Sequence, residues 1–338
     1  MNFFRYFWCV LFASLFFNLN SVVIVTHGAL AQESLWYQPG GSFFESLKIE
    51  SLELGHKKTN SFSWDQYLGG VTHYERLKAG VKLAKLVIDF AKKGEKEIVL
   101  VGHSYGGHVI KAASQLLDDF IDDLTMYGVE SEPVLDLTTT SSPDKKNIEE
   151  EQKEKEELQA FFAVAKEEVQ KYKEKVGIQE TKAQKDYLID SVYTLGTPNN
   201  IPDYVADMDI IGHLYNFYSK GDLVQEIVGD VLLPEPKHER AVDLSIEIKN
   251  KGWLGWGLPN HREIHAEIIA KWLLYIPNYL IQEKIGNFEN FTFNATGNIC
   301  FAQNKMPIYS ILKDSEEVGL ANHIWEWVLQ HLGLSNNV

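Results

Sequence analysis

Apolar and polar positions fall into two alternating rhythms along the first third of the chain. Val22–Thr26 (VVIVT) is a β-branched apolar cluster of the kind that fills a buried parallel strand, and it runs into the turn His27-Gly28-Ala29. Asn60–Trp64 reads as a second, shorter strand, followed by the break at Gly69-Gly70. Tyr74–Ala91 then carries Leu77, Val81, Ala84, Leu86, Val87 and Phe90 at helical spacing. After the charged turn Lys92–Glu97 comes Ile98–Val101 (IVLV), a short and wholly apolar strand. Gly102-His103-Ser104-Tyr105-Gly106-Gly107 follows at once, then a helix from about His108 to Leu117. Strand, turn and helix in repeated succession predict an α/β fold, with a mostly parallel central sheet and helices on both faces.

The rhythm then breaks. Ser131–Asp144 is rich in Ser, Thr and Pro and reads as loop. Asn147–Val176 is dense in Glu and Lys, with Leu158, Phe161, Phe162, Ala165, Val169 and Tyr172 in one apolar stripe. That stripe predicts a solvated helix packed on the body; a protein partner held by the 147–176 helix is the alternative. Strands resume at Leu188–Thr194, before Leu195-Gly196-Thr197-Pro198, and at His213–Tyr218, before Ser219-Lys220-Gly221-Asp222. Val242–Ile248 alternates as an edge or near-edge strand would. A Gly/Trp-rich loop, Lys251–Asn260, leads to a helix over Ile264–Leu274, and a terminal helix is expected near Asn322–Leu332. Domain organisation follows: 1–20 stand apart, 21–280 form one body with a charged helical insertion at 128–187, and 281–338 extend it.

Met1–Phe17 has a single cation, Arg5, before an uncharged and mostly apolar run, the shape of a secretory signal or a short anchor. Ala29-Leu30-Ala31 has the small-x-small pattern of a signal-peptidase site, yet a cut there would remove the first strand and its turn. Export or membrane association through the N-terminus is the first reading, and a cytoplasmic chain the other. Asn290-Phe-Thr and Asn294-Ala-Thr are glycosylation sequons, meaningful only for an exported eukaryotic chain.

Composition narrows the classes. The chain has 338 residues, 45% hydrophobic and 23% charged, so one sizeable core needs no disulfide or metal staple. With 32 Lys+Arg against 47 Asp+Glu the net charge is −15, which argues against a nucleic-acid partner. Cys9 and Cys300 are too few for a disulfide framework or a Cys-rich metal site.

The chemistry centres on Gly102-x-Ser104-x-Gly106, directly after an apolar strand and before a helix. That is the setting of a nucleophile elbow. The serine must sit on a strained turn, and glycines two residues either side let strand and helix close up while Oγ projects into the open. The helix N-terminus behind it favours a developing oxyanion. An acid and then a base follow such a serine in chain order. Asp222 lies just past a strand end, ahead of Asp203, Asp207, Asp209 and Asp230 as candidates. His261 and His265, on either side of the expected helix start, are the candidate bases, with His261 preferred. His103 and His108 flank the serine and read as structural; His73, His213 and His323 show no partner pattern. The amides of Tyr105 and Ala29 are the candidate oxyanion donors, with Gly28 permitting the tight turn.

Thr26-His27-Gly28, Gly102–Gly107, Leu195–Pro198, Ser219–Val224 and the 261–265 segment together resemble the α/β-hydrolase superfamily and its lipase-like serine esterases. The resemblance covers about 21–280, apart from the insertion. It implies a Ser104-His261-Asp222 triad, no metal or organic cofactor, and a small-molecule or lipid ester as substrate. A thioesterase, amidase or acyltransferase on the same triad, or a degenerate hydrolase that only binds, are the alternatives. Two departures stand out: no strands are expected before Val22, and the insertion follows the elbow helix. Because that helix runs back from the catalytic edge, the insertion is expected to stay at the far edge and not to act as a lid. Trp36, Tyr37, Phe43, Phe44, Trp253, Leu254, Trp256 and Leu258 sit on loops expected at the mouth, suggesting an apolar acyl pocket.

Overall fold

Ser21–Thr26, six consecutive buried residues, form β1 in the interior of the sheet, as a β-branched run with no polar face must. The computed structural model describes residues 20–29, 31, 33–64, 72–118, 145–177, 187–199, 205–222, 224–225, 238–248, 259–277, 292–294 and 299–303. After β1 come α1 (Ser42–Glu53), β2 (Lys58–Phe62), α2 (His73–Lys92), β3 (Glu97–His103), α3 (Tyr105–Leu117) and α4 (Lys145–Val176). Then follow β4 (Ile189–Leu195), β5 (Ile211–Tyr218), β6 (Ala241–Ile248), α5 (Glu267–Leu273), β7 (Thr292–Asn294) and β8 (Ile299–Gln303). The strands lie in the order β2-β1-β3-β4-β5-β6-β8-β7. The first six are parallel and the last two antiparallel.

Helices cover both faces, so the expected α/β architecture is present. α2, α3 and α4 pack on one another over Val22, Ile24, Leu100 and Val192. α1 and α5 pack together over Val23, Val101, Tyr193 and Leu195 on the other face. Alternation along each strand feeds the two cores in turn. α2 opens on a reciprocal cap in which Glu75 N–H donates to Thr72 Oγ1 and the Thr72 N–H to Glu75 Oε2.

Several expectations need correction. β2 starts two residues earlier than Asn60 and ends at Phe62. The elbow helix begins at Tyr105, not His108. The expected Ile264–Leu274 helix is a 3₁₀ turn, Glu263–His265, and then α5. β6 is not an edge strand: β8 pairs with its outer side, and Val242–Ile246 are buried on both faces, so its alternation is not an alternation of exposure. α1 and the β7/β8 hairpin were not foreseen.

The insertion also takes a different path. α3 ends at the edge where strands begin, but α4 returns from the catalytic edge: Phe161 packs on Tyr74 at the start of α2, at a ring separation of 4.0 Å. Farther along, Lys85 pairs with Glu168 and Tyr172 Oη donates to Asp89. α4 therefore runs parallel to α2. Phe162, Ala165 and Val169 of the stripe are buried against the body, as expected. Among the described residues no helix is long and apolar enough to cross a membrane. The Met1–Phe17 run and the Asn322–Leu332 helix lie outside the described residues.

Candidate active site

β3 delivers the elbow. Ser104 holds φ 53° and ψ −131°, and it is the non-glycine residue with positive φ among those described. A conformation so costly persists only when its surroundings fix it. Ser104 N–H donates to the Leu195 carbonyl at 2.9 Å. Its own carbonyl accepts from Gly107 N–H at 2.9 Å and from Thr197 Oγ1 at 3.0 Å. As N-cap of α3 its side chain makes no capping bond, so Oγ is not spent on the helix. The residue is 5% exposed, more enclosed than a serine expected to stand in the open.

The glycines do what the motif requires. A Cβ on Gly102 would lie 2.7 Å from Ile110 Cδ1, and one on Gly106 would lie 2.6 Å from the His27 carbonyl oxygen. One on Gly28 would meet Ser104 Cβ at 2.5 Å, so the turn after β1 packs directly on the nucleophile. His27 locks that turn. Its Nδ1 is 2.8 Å from the Gly28 carbonyl and therefore protonated, while Nε2 accepts from Trp64 N–H at 3.2 Å. Burial holds its pKa below the ordinary histidine value, so the ring is neutral. Ala29 follows Gly28 and Tyr105 follows Ser104, which puts both candidate oxyanion residues beside the elbow. The Arg76 guanidinium lies 4.7 Å from the Tyr105 ring centroid.

Asp222 is fully buried, and its two oxygens divide the work. Oδ1 accepts from Gln225 N–H at 3.0 Å. Oδ2 accepts from His261 Nδ1 at 2.8 Å. That bond leaves His261 Nε2 as the unprotonated, basic nitrogen. Gly196, at φ 59°, makes room for the carboxylate: a Cβ there would stand 2.9 Å from Asp222 Oδ2. Asn260 presents His261 by accepting from Arg262 and Glu263 N–H at 3.0 and 3.1 Å, while its own N–H donates to Glu263 Oε2.

His265 is not on the carboxylate. It stacks on Trp36 at 4.3 Å, and burial pushes its pKa down to about 4. The structure thus brings His261, and not His265, onto Asp222. His108 is structural, as expected: Arg76 reaches Nδ1 at 2.6 Å and Nε2 donates to the Pro198 carbonyl. Asp207 and Asp209 lie before β5, away from the base; Asp203 and Asp230 are outside the described residues. Tyr37, Phe43 and Phe44 are core residues rather than a mouth, because α1 carries the two phenylalanines inward. Trp253, Leu254, Trp256 and Leu258 are outside the described residues.

Thr197 and Gln225 were not singled out in the sequence. Gln225 Nε2 donates to the Thr197 carbonyl at 3.0 Å, so one short segment braces both the elbow and the acid turn. The composition of Leu195-Gly196-Thr197-Pro198 marked the segment but not these bonds.

No family model matches the chain, and no curated protein matches it. Among solved structures it is similar to an α/β-superfamily protein from Xanthomonas campestris pv. campestris, provisionally assigned as a hydrolase. That likeness has a TM-score of 0.33 at 11% identity and covers 76% of this chain and 99% of the other. An extracellular α/β-hydrolase from a Paenibacillus species is similar over 28% of this chain and 35% of its own, at 26% identity and a TM-score of 0.18. Both are too distant to add to the geometry.

Proposed function

We propose that the chain is a serine hydrolase that cleaves carboxylic esters through an acyl-enzyme on Ser104. One observation carries the reading: the 2.8 Å bond from His261 Nδ1 to buried Asp222, beside a serine held on a strained strand-to-helix turn. Asp222 fixes the imidazole tautomer, His261 Nε2 takes the proton from Ser104 Oγ, and Oγ attacks the acyl carbonyl. The Tyr105 and Ala29 amides, at the start of α3 and after Gly28, receive the negative charge. His261 then protonates the leaving alkoxide, and water releases the acyl group by the reverse transfer. The buried aromatic residues of the 36–44 segment belong to the core, so they give no support to a long-chain lipid; an acyl ester of unspecified length is the substrate class. The apolar run Met1–Phe17 supports an exported or membrane-associated enzyme.

The test is hydrolysis of p-nitrophenyl acyl esters by purified wild type and by Asp222→Asn. The amide would present the wrong tautomer to His261, and kcat should fall by about 10⁴ with the fold intact. Asp222→Asn with wild-type kcat would refute the triad.

A further inference from the structure

One buried titratable group beside the site has no part in that reaction. His103 is the last residue of β3, immediately before Ser104. Alternation turns Gly102 toward Ile110 of α3 and His103 to the opposite face, where α5 and the His261 turn lie. There His103 Nε2 is 2.9 Å from the His261 carbonyl oxygen. A carbonyl only accepts, so Nε2 carries the proton and Nδ1 is bare. Nδ1 is buried and has no hydrogen-bond partner among the described residues. A side chain present for packing alone has no reason to carry a bare nitrogen into the interior. The feature that an imidazole supplies here, and a hydrocarbon of like size does not, is the N–H to the base's own main chain.

The surroundings hold that N–H in place. The His103 ring is 4.6 Å from those of both His261 and His265, and 5.4 Å from Trp36, whose ring also stacks on His265. Burial keeps the His103 and His265 rings neutral.

We propose that His103 is a positioning residue: its Nε2–H ties the His261 main chain to the strand that carries the nucleophile. Asp222 fixes the rotation of the base from the acid turn, and His103 fixes the backbone from which the base hangs. Both ends of the Ser104–His261 proton transfer are thereby mounted on β3. The inference rests on the triad reading above.

The test compares His103→Phe, which keeps ring volume without the N–H, with His103→Gln, whose amide N–H reaches similarly far. Turnover of p-nitrophenyl butyrate and melting temperature are measured for each. His103→Phe should lower kcat about 10- to 100-fold with KM within about twofold, since a small misplacement of a catalytic group costs on that order. His103→Gln should recover most of that loss. Wild-type kcat in His103→Phe, or equal losses in both variants, would overturn the positioning role. Should His103→Phe fail to fold, nitrogen NMR of the wild-type ring decides. A protonated Nε2 with bare Nδ1, together with near-wild-type kcat in His103→Gln, supports the role, and the opposite tautomer or an inactive His103→Gln overturns it. A wild type that turns over no ester and resists fluorophosphonate overturns the triad itself, and the positioning role with it. An active wild type with an indifferent His103→Phe overturns the positioning role alone.

Discussion

At the scale of single residues, Ser104 keeps a positive φ within three hydrogen bonds and three close-packed glycines, Gly28, Gly102 and Gly106. The tightest of these contacts is with Gly28. Gly28→Ala would press a methyl group on Ser104 Cβ at 2.5 Å and on the His103 carbonyl oxygen at 2.9 Å. Backbone cannot yield cheaply, so ester turnover should fall by at least about 10²-fold, with a loss of stability of about 1–3 kcal/mol. Steady-state kinetics and a denaturant melt check this; an unchanged kcat would show that the turn after β1 does not define the site. Ser104 and Asp222 stood out in the sequence because each lies just past a strand end, and His261 because it stands in the loop before a helix. His103 was read as structural because the apolar run of the strand ends at Val101. Only the true end of β3, one residue before the nucleophile, shows that its side chain faces the base. The rival His265 could be set aside only through the Asn260 turn, which aims His261 and not His265 at Asp222.

At the scale of elements, α4 is anchored on the body through residues from Phe161 onward. Phe162, Ala165 and Val169 are buried against α2 and α3, and Gln170 and Lys173 donate to the Asp118 and Leu117 carbonyls at the end of α3. Phe162→Ala should therefore destabilise the protein by about 3–5 kcal/mol. A chain shortened so that α4 starts near Glu157 should melt within a few degrees of wild type, because the anchoring contacts of Phe161, Phe162, Ala165 and Val169 are all retained. Thermal denaturation of both distinguishes them; equal loss in the two would mean that residues before Glu157 also anchor the helix. The apolar stripe made the anchored half of α4 legible. α1 escaped for the converse reason. Its inner face buries Ser46 and Ser51, and its outer face exposes Ile49 and Leu52, so hydrophobic periodicity points the wrong way. Ser51 is tolerated inside because its hydroxyl bonds the Lys48 carbonyl and Thr59.

At the scale of the whole molecule, acid is a predictable stress. His27, His56, His103, His108 and His265 are all held below the ordinary histidine value by burial. Such a group stays neutral in the fold but charges in the unfolded chain below 6.5, so the unfolded state binds more protons and stability falls as the pH falls. For His265 that loss extends from 6.5 down to about 4. Asp207 acts oppositely. Burial lifts its pKa from 3.8 to about 6, which favours the fold as the pH falls through that range. Five histidines outweigh one carboxyl, so the melting temperature should drop by several degrees between pH 7 and pH 4.5. Circular dichroism melts across that range check it, and a flat or rising profile would contradict it. The parallel sheet was legible from the strand–helix rhythm. The direction of α4 was not, because it depends on contacts such as Phe161 with Tyr74 across many residues of intervening chain.

The central claim is an activated serine at position 104. Its most direct measurement is covalent labelling of the full-length protein by a fluorophosphonate probe, with Ser104→Ala alongside. The account predicts stoichiometric labelling of wild type, mapped to Ser104 by peptide mass, and none of the variant. Folded wild type that stays unlabelled, or a variant that labels equally well, would contradict it.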